Sequence, residues 1–343
     1  MKKHATIWGL AGCALGLLAL MPLTAQADVK IQRFTHFDEV TGITAHDSNT
    51  TDYIQGDKKR EENRRKFTGA VLGAWQRFRH EDKGALSVDI YNVGTNKHFE
   101  LDPKEKTYSE EPIYTPVPKQ SGEESRGGTA HGGQSSQGSG EQESESDTKV
   151  TKNEFTVKAT GKKKNLNGFD AVEYLITWDV ETVNTKTGDK GKSLMTTDLW
   201  TSTDPRLAKA HAEEAAYNEA YRKLMHEPTN IEEMHQYGFG TVTTNGADPK
   251  QFFEKLKTIK GYPVSTDVRW ETAGSGEKDK SEHPTESVDS AIGSLFGHHS
   301  EKKKQSGHAG MTTVFHSHVE IKAVSFDKVD PALFKVPDNY KTG

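Results

Sequence analysis

The chain has almost no cysteine and few apolar residues. Cys13 is the only cysteine among its 343 residues, and hydrophobic residues make up 32% of the sequence. Once Cys13 is removed, no disulfide, thiolate nucleophile or thiolate metal ligand remains available. An apolar share this low for a globular chain indicates long polar segments that bury nothing.

The chain also has no excess of positive charge. The chain has 45 Lys and Arg against 50 Asp and Glu, so its formal net charge is −5. Proteins that bind nucleic acid neutralise phosphates with clustered Lys and Arg. The composition therefore argues against a nucleic-acid partner.

The N-terminus has the pattern of a secretory signal peptide. Two lysines precede the apolar run Ile7–Leu23, and Ala25-Gln26-Ala27 then supplies small residues on both sides of one variable position. A basic region, an apolar core and a small-x-small site are the three parts of such a signal. We therefore expect residues 1–27 to be removed on export, so that the mature protein begins at Asp28.

Two alternatives remain for this segment. In the first, the apolar run stays as a membrane anchor, although it is short for a span and polar sequence follows it. In the second, Leu10–Cys13 acts as a lipoprotein box and Cys13 carries the lipid. Cleavage there would leave Ala14–Leu23 on the mature terminus, so we favour cleavage after Ala27. We expect no stable transmembrane segment in the exported protein.

Two long polar stretches interrupt the rest of the chain. Residues 116–147 are dense in Gly, Ser, Glu and Gln, and residues 274–310 are similar apart from an amphipathic stretch, Val288–Phe296. Segments with so few apolar residues do not bury enough surface to offset their ordering entropy. We predict that both are disordered insertions in a single β-rich domain, 28–343.

Between the insertions the sequence predicts an α+β fold dominated by antiparallel strands. Period-2 alternation marks strands that bury one face and leave the other in solvent. Asp204-Pro205 and Asp248-Pro249 begin two helices, which fall between strands and should lie across one face of the sheet. The strand segments are 86–90, 99–101, 107–108, 155–159, 172–180, 194–200, 262–272 and 312–326.

Four pieces of the chain, taken in order, resemble one bacterial family. They combine turn chemistry with strand patterning, and together they resemble exported proteins that carry domain of unknown function 4412. The pieces are Phe99–Tyr108, Gly161–Tyr174, Asp198–Asp204 and Lys260–Val264. The closing Asp330–Tyr340 resembles the terminal strand and turn of the periplasmic lipoprotein carriers.

The resemblance implies the fold of the periplasmic lipoprotein carriers (LolA-like). That fold is an incompletely closed antiparallel barrel or curved sheet whose concave face is covered by helices, and the resemblance implies a periplasmic location. The family brings no known catalytic residues. This chain departs from the family pattern by its two insertions and by an extra segment, Phe67–His80, which contains Trp75 and Phe78.

Histidine is the one abundant reactive residue type. His298 and His299 lie in the second insertion, and His316 and His318 share one strand face. Their imidazoles could serve Zn, Cu or Ni. No HExxH, CxxC, GxSxG or dinucleotide-binding glycine pattern accompanies them, so we favour solvated histidines, no metal, no cofactor and no enzyme activity.

The large aromatic residues predict an apolar cleft. Tyr174, Trp178, Trp200 and Trp270 lie on strands expected to meet inside the half-barrel, beneath the helix Asp204–Met225. Small-molecule sites are concave and mostly apolar. We therefore predict a non-enzymatic exported protein that binds a lipid or another apolar molecule in this cleft, although these aromatic residues could equally fill a closed core.

A second hypothesis belongs to another class of protein. The two polar insertions could engage a partner in the cell envelope, with Ile292, Leu295 and Phe296 as a docking helix that folds on contact. The chain would then be a structural or adaptor protein. An enzyme site assembled only in space is a more distant third.

Overall fold

The computed structural model describes residues 28–40, 42–79, 83–116, 148–226, 249–274, 308 and 310–343. Several predictions fall outside these residues. They are the signal peptide with its alternative at Cys13, most of both insertions, the stretch Val288–Phe296 with the adaptor hypothesis that depends on it, and the pair His298 and His299. These stay predictions.

Twelve strands in the described ranges form one large, curved sheet that does not close on itself. In chain order they are β1 (Val29–Glu39), β2 (His46–Gln55), β3 (Lys58–Phe67), β4 (Ala85–Asn92), β5 (Lys97–Asp102), β6 (Thr107–Glu111), β7 (Thr148–Leu166), β8 (Phe169–Asn184), β9 (Lys190–Ser202), β10 (Tyr262–Gly274), β11 (Thr312–Ser325) and β12 (Lys341–Thr342).

The order across the sheet is β12-β6-β5-β4-β3-β2-β1-β11-β10-β9-β8-β7. Neighbouring strands are antiparallel, except that β12 pairs with β6 in parallel over two residues. The predicted antiparallel, unclosed sheet is confirmed, and each predicted strand segment corresponds to one of the strands β4 to β11. Alternation did not predict β1, β2 or β3.

Three α-helices occur in the described residues: α1 (Ala70–Phe78), α2 (Pro205–Met225) and α3 (Pro249–Leu256). The second begins where Asp204-Pro205 predicts. Asp204 is its N-cap, and Asp204 Oδ1 accepts a hydrogen bond of 2.8 Å from the backbone N–H of Arg206. The helix ends at Met225, and its C-cap residue His226 takes the left-handed conformation with φ of 57°.

Alternation gives the sheet two distinct faces. On one, which we call the helix face, Ile31 packs with Ala210 of α2, while Ile176 and Val268 pack with Leu256 of α3. Both helices therefore bury their apolar residues against the same side of the sheet.

The opposite side, which we call the back face, is covered at the other end of the sheet. Val88, Ile90 and Leu101 of β4 and β5 are buried there against Val329 and Phe334 of the C-terminal segment. The segment is pinned by Arg60, which donates a hydrogen bond of 3.1 Å to the carbonyl of Leu333. The sheet is thus covered on opposite faces at its two ends.

The cap of α2 generates a stability prediction. Asp204→Ala leaves the first-turn N–H of Arg206 without its side-chain acceptor, so the free energy of unfolding should fall by about 1 kcal/mol. Asp204→Asn keeps an acceptor and should retain most of this stability. Urea unfolding followed by circular dichroism measures both. Equal losses in the two variants would show that the cap hydrogen bond is not the stabilising contact.

Candidate functional site

A cavity of about 450 Å³ lies between α2 and the helix face of the sheet. Its floor comes from β1, β10 and β11, and its roof comes from one side of α2. Ligand sites for small molecules are usually clefts of roughly 300–1,000 Å³ with mostly apolar walls. This cavity falls in that range, so its walls are the first place to look for function.

The floor is apolar because neighbouring strands present the same face. Ile31, Val268 and Val319 all point toward α2. Two shorter side chains stand opposite valines across the β10–β11 ladder: Ser317 is paired with Val268, and Thr266 with Val319. A short residue in each pair leaves room that a second large side chain would fill.

The roof is a stripe along α2. Leu207, Ala210, His211, Glu214 and Asn218 line the cavity, and their spacing of three or four residues places them on one side of the helix. Ala210 is buried and contributes only a methyl group. The roof is therefore apolar at its beginning and polar toward its end.

The polar end of the cavity contains a closed ion-pair cluster. Arg33 Nη2 donates to Glu214 Oε1 and Oε2 at 2.7 and 2.8 Å, which ties β1 to α2. The other terminal nitrogen of Arg33 binds Asp52 on β2. Lys59 on β3 completes the cluster, with its Nζ at 3.1 Å from Asp52 and 3.0 Å from Glu61.

The charges in this cluster satisfy one another. Burial alone would lower the pKa of Arg33, but the carboxylates of Glu214 and Asp52 outweigh burial and raise that pKa. The pKa of Lys59 is raised for the same reason, by Asp52 and Glu61. Two cations face three carboxylates, so the cluster offers no excess positive charge to an anionic ligand.

The four aromatic residues predicted to line a cleft do not line this cavity. Tyr174 and Trp178 are buried in the core beside α3. Trp270 is partly buried on the helix face and donates from Nε1 to Ser193 Oγ at 2.6 Å. Trp200 is buried on the back face, with Lys164 Nζ 3.8 Å from its ring centre. Their role in ligand contact stays a prediction.

Arg33 and Glu214 are not predicted by any motif in the sequence. Their pairing joins residues 181 positions apart, and no local pattern indicates it. One signal was present: Val29, Ile31 and Arg33 share a strand face, so an arginine continues an apolar row. A charged residue in such a row predicts a buried partner on another element.

His316 and His318 meet on the back face, around Asp267 of β10. His316 Nε2 lies 3.1 Å and His318 Nδ1 lies 3.2 Å from Asp267 Oδ2. Burial alone would raise the pKa of Asp267, but the hydrogen bonds from both imidazoles hold it well below 3.8. The hydrogen bond to Asp267 in turn raises the pKa of His318 above 6.5.

In this arrangement both imidazoles are hydrogen-bonded to the same carboxylate, that of Asp267. Among the residues that the structure describes, no three His, Cys, Asp or Glu side chains are placed to hold a metal ion. The contacts of His316 and His318 with Asp267 join β11 to β10 on the back face.

Comparison with known proteins adds no family assignment. Neither a scan against protein-family models nor a search of curated proteins finds a match. The resemblance to carriers of domain 4412 accordingly stays a prediction from the sequence. None of the helices in the described part of the chain is long and apolar enough to span a membrane.

The Asp267 cluster generates a pH prediction. Because the pKa of His318 is raised in the folded protein, its contribution to the free energy of unfolding is complete below pH 6.5. That contribution is lost as the pH rises through the raised pKa. Because the pKa of Asp267 is lowered in the folded protein, its contribution to the free energy of unfolding is complete above pH 3.8. That contribution is lost as the pH falls through the lowered pKa. The contact between Asp267 and His318 should therefore stabilise the sheet most between pH 3.8 and pH 6.5.

Asp267→Asn removes the carboxylate, so the pKa of His318 should fall in an NMR titration of its ring proton. Part of the elevation should survive, because Glu320 Oε2 also lies 3.5 Å from His318 Nε2. Asp189→Asn, an exposed change in the β8–β9 turn, is the control and should leave that pKa unchanged. An unaltered His318 titration in Asp267→Asn protein would refute the assignment.

Proposed function

We propose that this chain is an exported, non-enzymatic binding protein that holds a neutral apolar molecule, such as an acyl chain, beneath α2. The observation that carries the proposal is the cavity of about 450 Å³ with mostly apolar walls between α2 and the sheet. An apolar ligand that enters such a space removes part of its surface from water, which gives roughly 25 cal/mol for each Å² of apolar surface buried.

The electrostatics of the cavity support a neutral ligand over an anionic one. Arg33 is the only cation among the lining residues in the described part of the chain, and it already binds Glu214 and Asp52. A ligand carboxylate would have to displace one of them. An uncharged chain would pack against Ile31, Val268 and their neighbours without disturbing the ion pairs.

We place this function in the periplasm, as the resemblance to the lipoprotein carriers implies. In this proposal the curved sheet is an incompletely closed barrel, and α2 and α3 cover its concave face. The pairing of Arg33 with Glu214 also supports a binding role over a catalytic one, because a general acid or base must reach the substrate and these two side chains bind each other instead.

Filling the cavity tests the proposal. Ala210→Leu enlarges the roof and Ser317→Leu enlarges the floor, so each variant should reduce the space for ligand. The measurement is binding of the neutral fluorescent probe N-phenyl-1-naphthylamine, and its displacement by palmitoyl glycerol. Each variant should weaken probe binding by about tenfold or more, which corresponds to about 1.4 kcal/mol.

The matched control is Ala212→Leu, because Ala212 lies on the same helix and is exposed. It should bind the probe like the unmodified protein. Circular dichroism spectra confirm that all three variants fold, and native mass spectrometry of protein from its own host shows any molecule that remains bound. Equal probe binding in Ala210→Leu, Ser317→Leu and Ala212→Leu proteins would contradict the proposal.

A further inference from the structure

The helix α1 presents its apolar side chains to solvent. Val71, Trp75 and Phe78 are spaced by four and three residues, so they share one side of the helix. Their exposed fractions are 66%, 52% and 83%. A helix packed on a globular protein normally turns this side inward, so α1 is oriented the opposite way.

Polar contacts fix this orientation. The side that α1 turns toward the protein carries Gln76, which is only 3% exposed. Its Oε1 accepts from the backbone N–H of Phe67 at 2.9 Å, and its Nε2 donates to the carbonyl of Arg65 at 2.9 Å. Gly73 also lies against this strand end, because a Cβ there would come within 2.9 Å of the Phe67 carbonyl oxygen.

Exposed apolar surface is concentrated around this helix. Five large hydrophobic residues are exposed in the described part of the chain, and three of them are on α1. A fourth, Ile43, lies in the loop whose Ala45 carbonyl accepts a hydrogen bond from the N–H of Thr68 just before α1. Scattered apolar residues are normal on a surface, whereas a local concentration marks an interaction site.

The same region is basic although the whole chain is acidic. Residues 64–83 contain six Lys or Arg and two Asp or Glu, against a net charge of −5 for the chain. The helix itself has no acidic residue. The guanidinium of Arg79 lies 4.8 Å from the ring centre of Trp75, so a cation and an aromatic ring are presented together.

We propose that α1 docks on an anionic phospholipid surface, with Val71, Trp75 and Phe78 entering the interface. Helices that lie in the plane of a membrane combine Trp, Phe and aliphatic residues on one side with flanking Lys and Arg. Anionic headgroups attract such basic residues over a short distance. A second copy of the chain fits less well, because it would bring the same positive charges together.

Vesicle sedimentation tests this docking. The unmodified protein should sediment with phosphatidylglycerol vesicles and much less with phosphatidylcholine vesicles. Trp75→Ser/Phe78→Ser protein should lose at least about tenfold in its partition onto phosphatidylglycerol, because two large apolar side chains no longer enter the interface. The matched control is Val150→Ser, which removes an exposed apolar side chain on β7 and should leave partition unchanged.

A second pair of variants tests the electrostatic part. Arg77→Gln/Lys83→Gln protein should lose about fivefold in partition for each charge removed. Lys158→Gln/Lys163→Gln, two exposed changes on β7, should have little effect. All proteins are compared with the same N-terminus, so any contribution of residues 1–27 is common to them.

A fluorescent label locates the contact. Cys13→Ser/Phe78→Cys protein labelled with nitrobenzoxadiazole should show a blue shift on addition of phosphatidylglycerol vesicles, whereas a label on Val150→Cys should not. Three results would overturn the proposal. The first is a partition that the Trp75 and Phe78 changes leave unaltered, and the second is a dimer in light scattering that those changes dissociate. The third is a label at position 78 that is already shielded from water before lipid is added. Ala210→Leu protein should still bind vesicles, which separates this inference from the cavity.

Discussion

The pairing of β1 with β11 holds the two halves of the sheet together. One half runs from β12 to β1 and the other from β11 to β7, and in the described residues this is the one strand pairing between them, with α2 packed across it. Its register runs from Lys30 opposite Ser325 to Glu39 opposite Phe315. The partners are nearly 300 residues apart, so the ladder forms only after a large loop-closure cost has been met. The floor of the cavity lies on this join, and so exists only once the two halves have met.

A bulge lies in that ladder beside the residue that ties β1 to α2. Gln32 is opposite Ala323 and Arg33 is opposite Ile321, so the extra residue, Lys322, is on β11 and the alternation of β1 continues unbroken through Arg33. Arg33 lies beyond the shift and reaches Glu214 of α2, as well as Asp52 of β2. Loss of either carboxylate would leave a largely buried guanidinium with half of its partners, which is costly. The position of α2, and with it the shape of the cavity, therefore depends on a charged contact inside an apolar region.

Much of the fold could be predicted, because its signals are local. The alternation in β8 and the Asp204-Pro205 start of α2 identify those elements without reference to the rest of the chain. The strand β3, KKREENRRKF, could not be identified in this way, because it has no apolar alternation to detect. Its side chains pair instead, Arg60 with Glu62 and Lys59 with Asp52. Such a segment becomes a strand because it pairs with its neighbours β2 and β4, and its own sequence does not indicate that pairing.

The candidate site was only half predictable, for a related reason. The apolar side of α2 indicated one wall, but the opposite wall depends on which strands the β1–β11 ladder brings beneath it. Of the aromatic residues, Trp178 and Tyr174 lie in the core beside α3 and do not line this cavity. A cavity instead requires small residues where large ones would fit, and here these are Ala210, Thr266 and Ser317. Small residues carry little periodic signal, so the residues that create a cavity cannot be recognised from a sequence pattern. Such positions are found only when the facing elements are known.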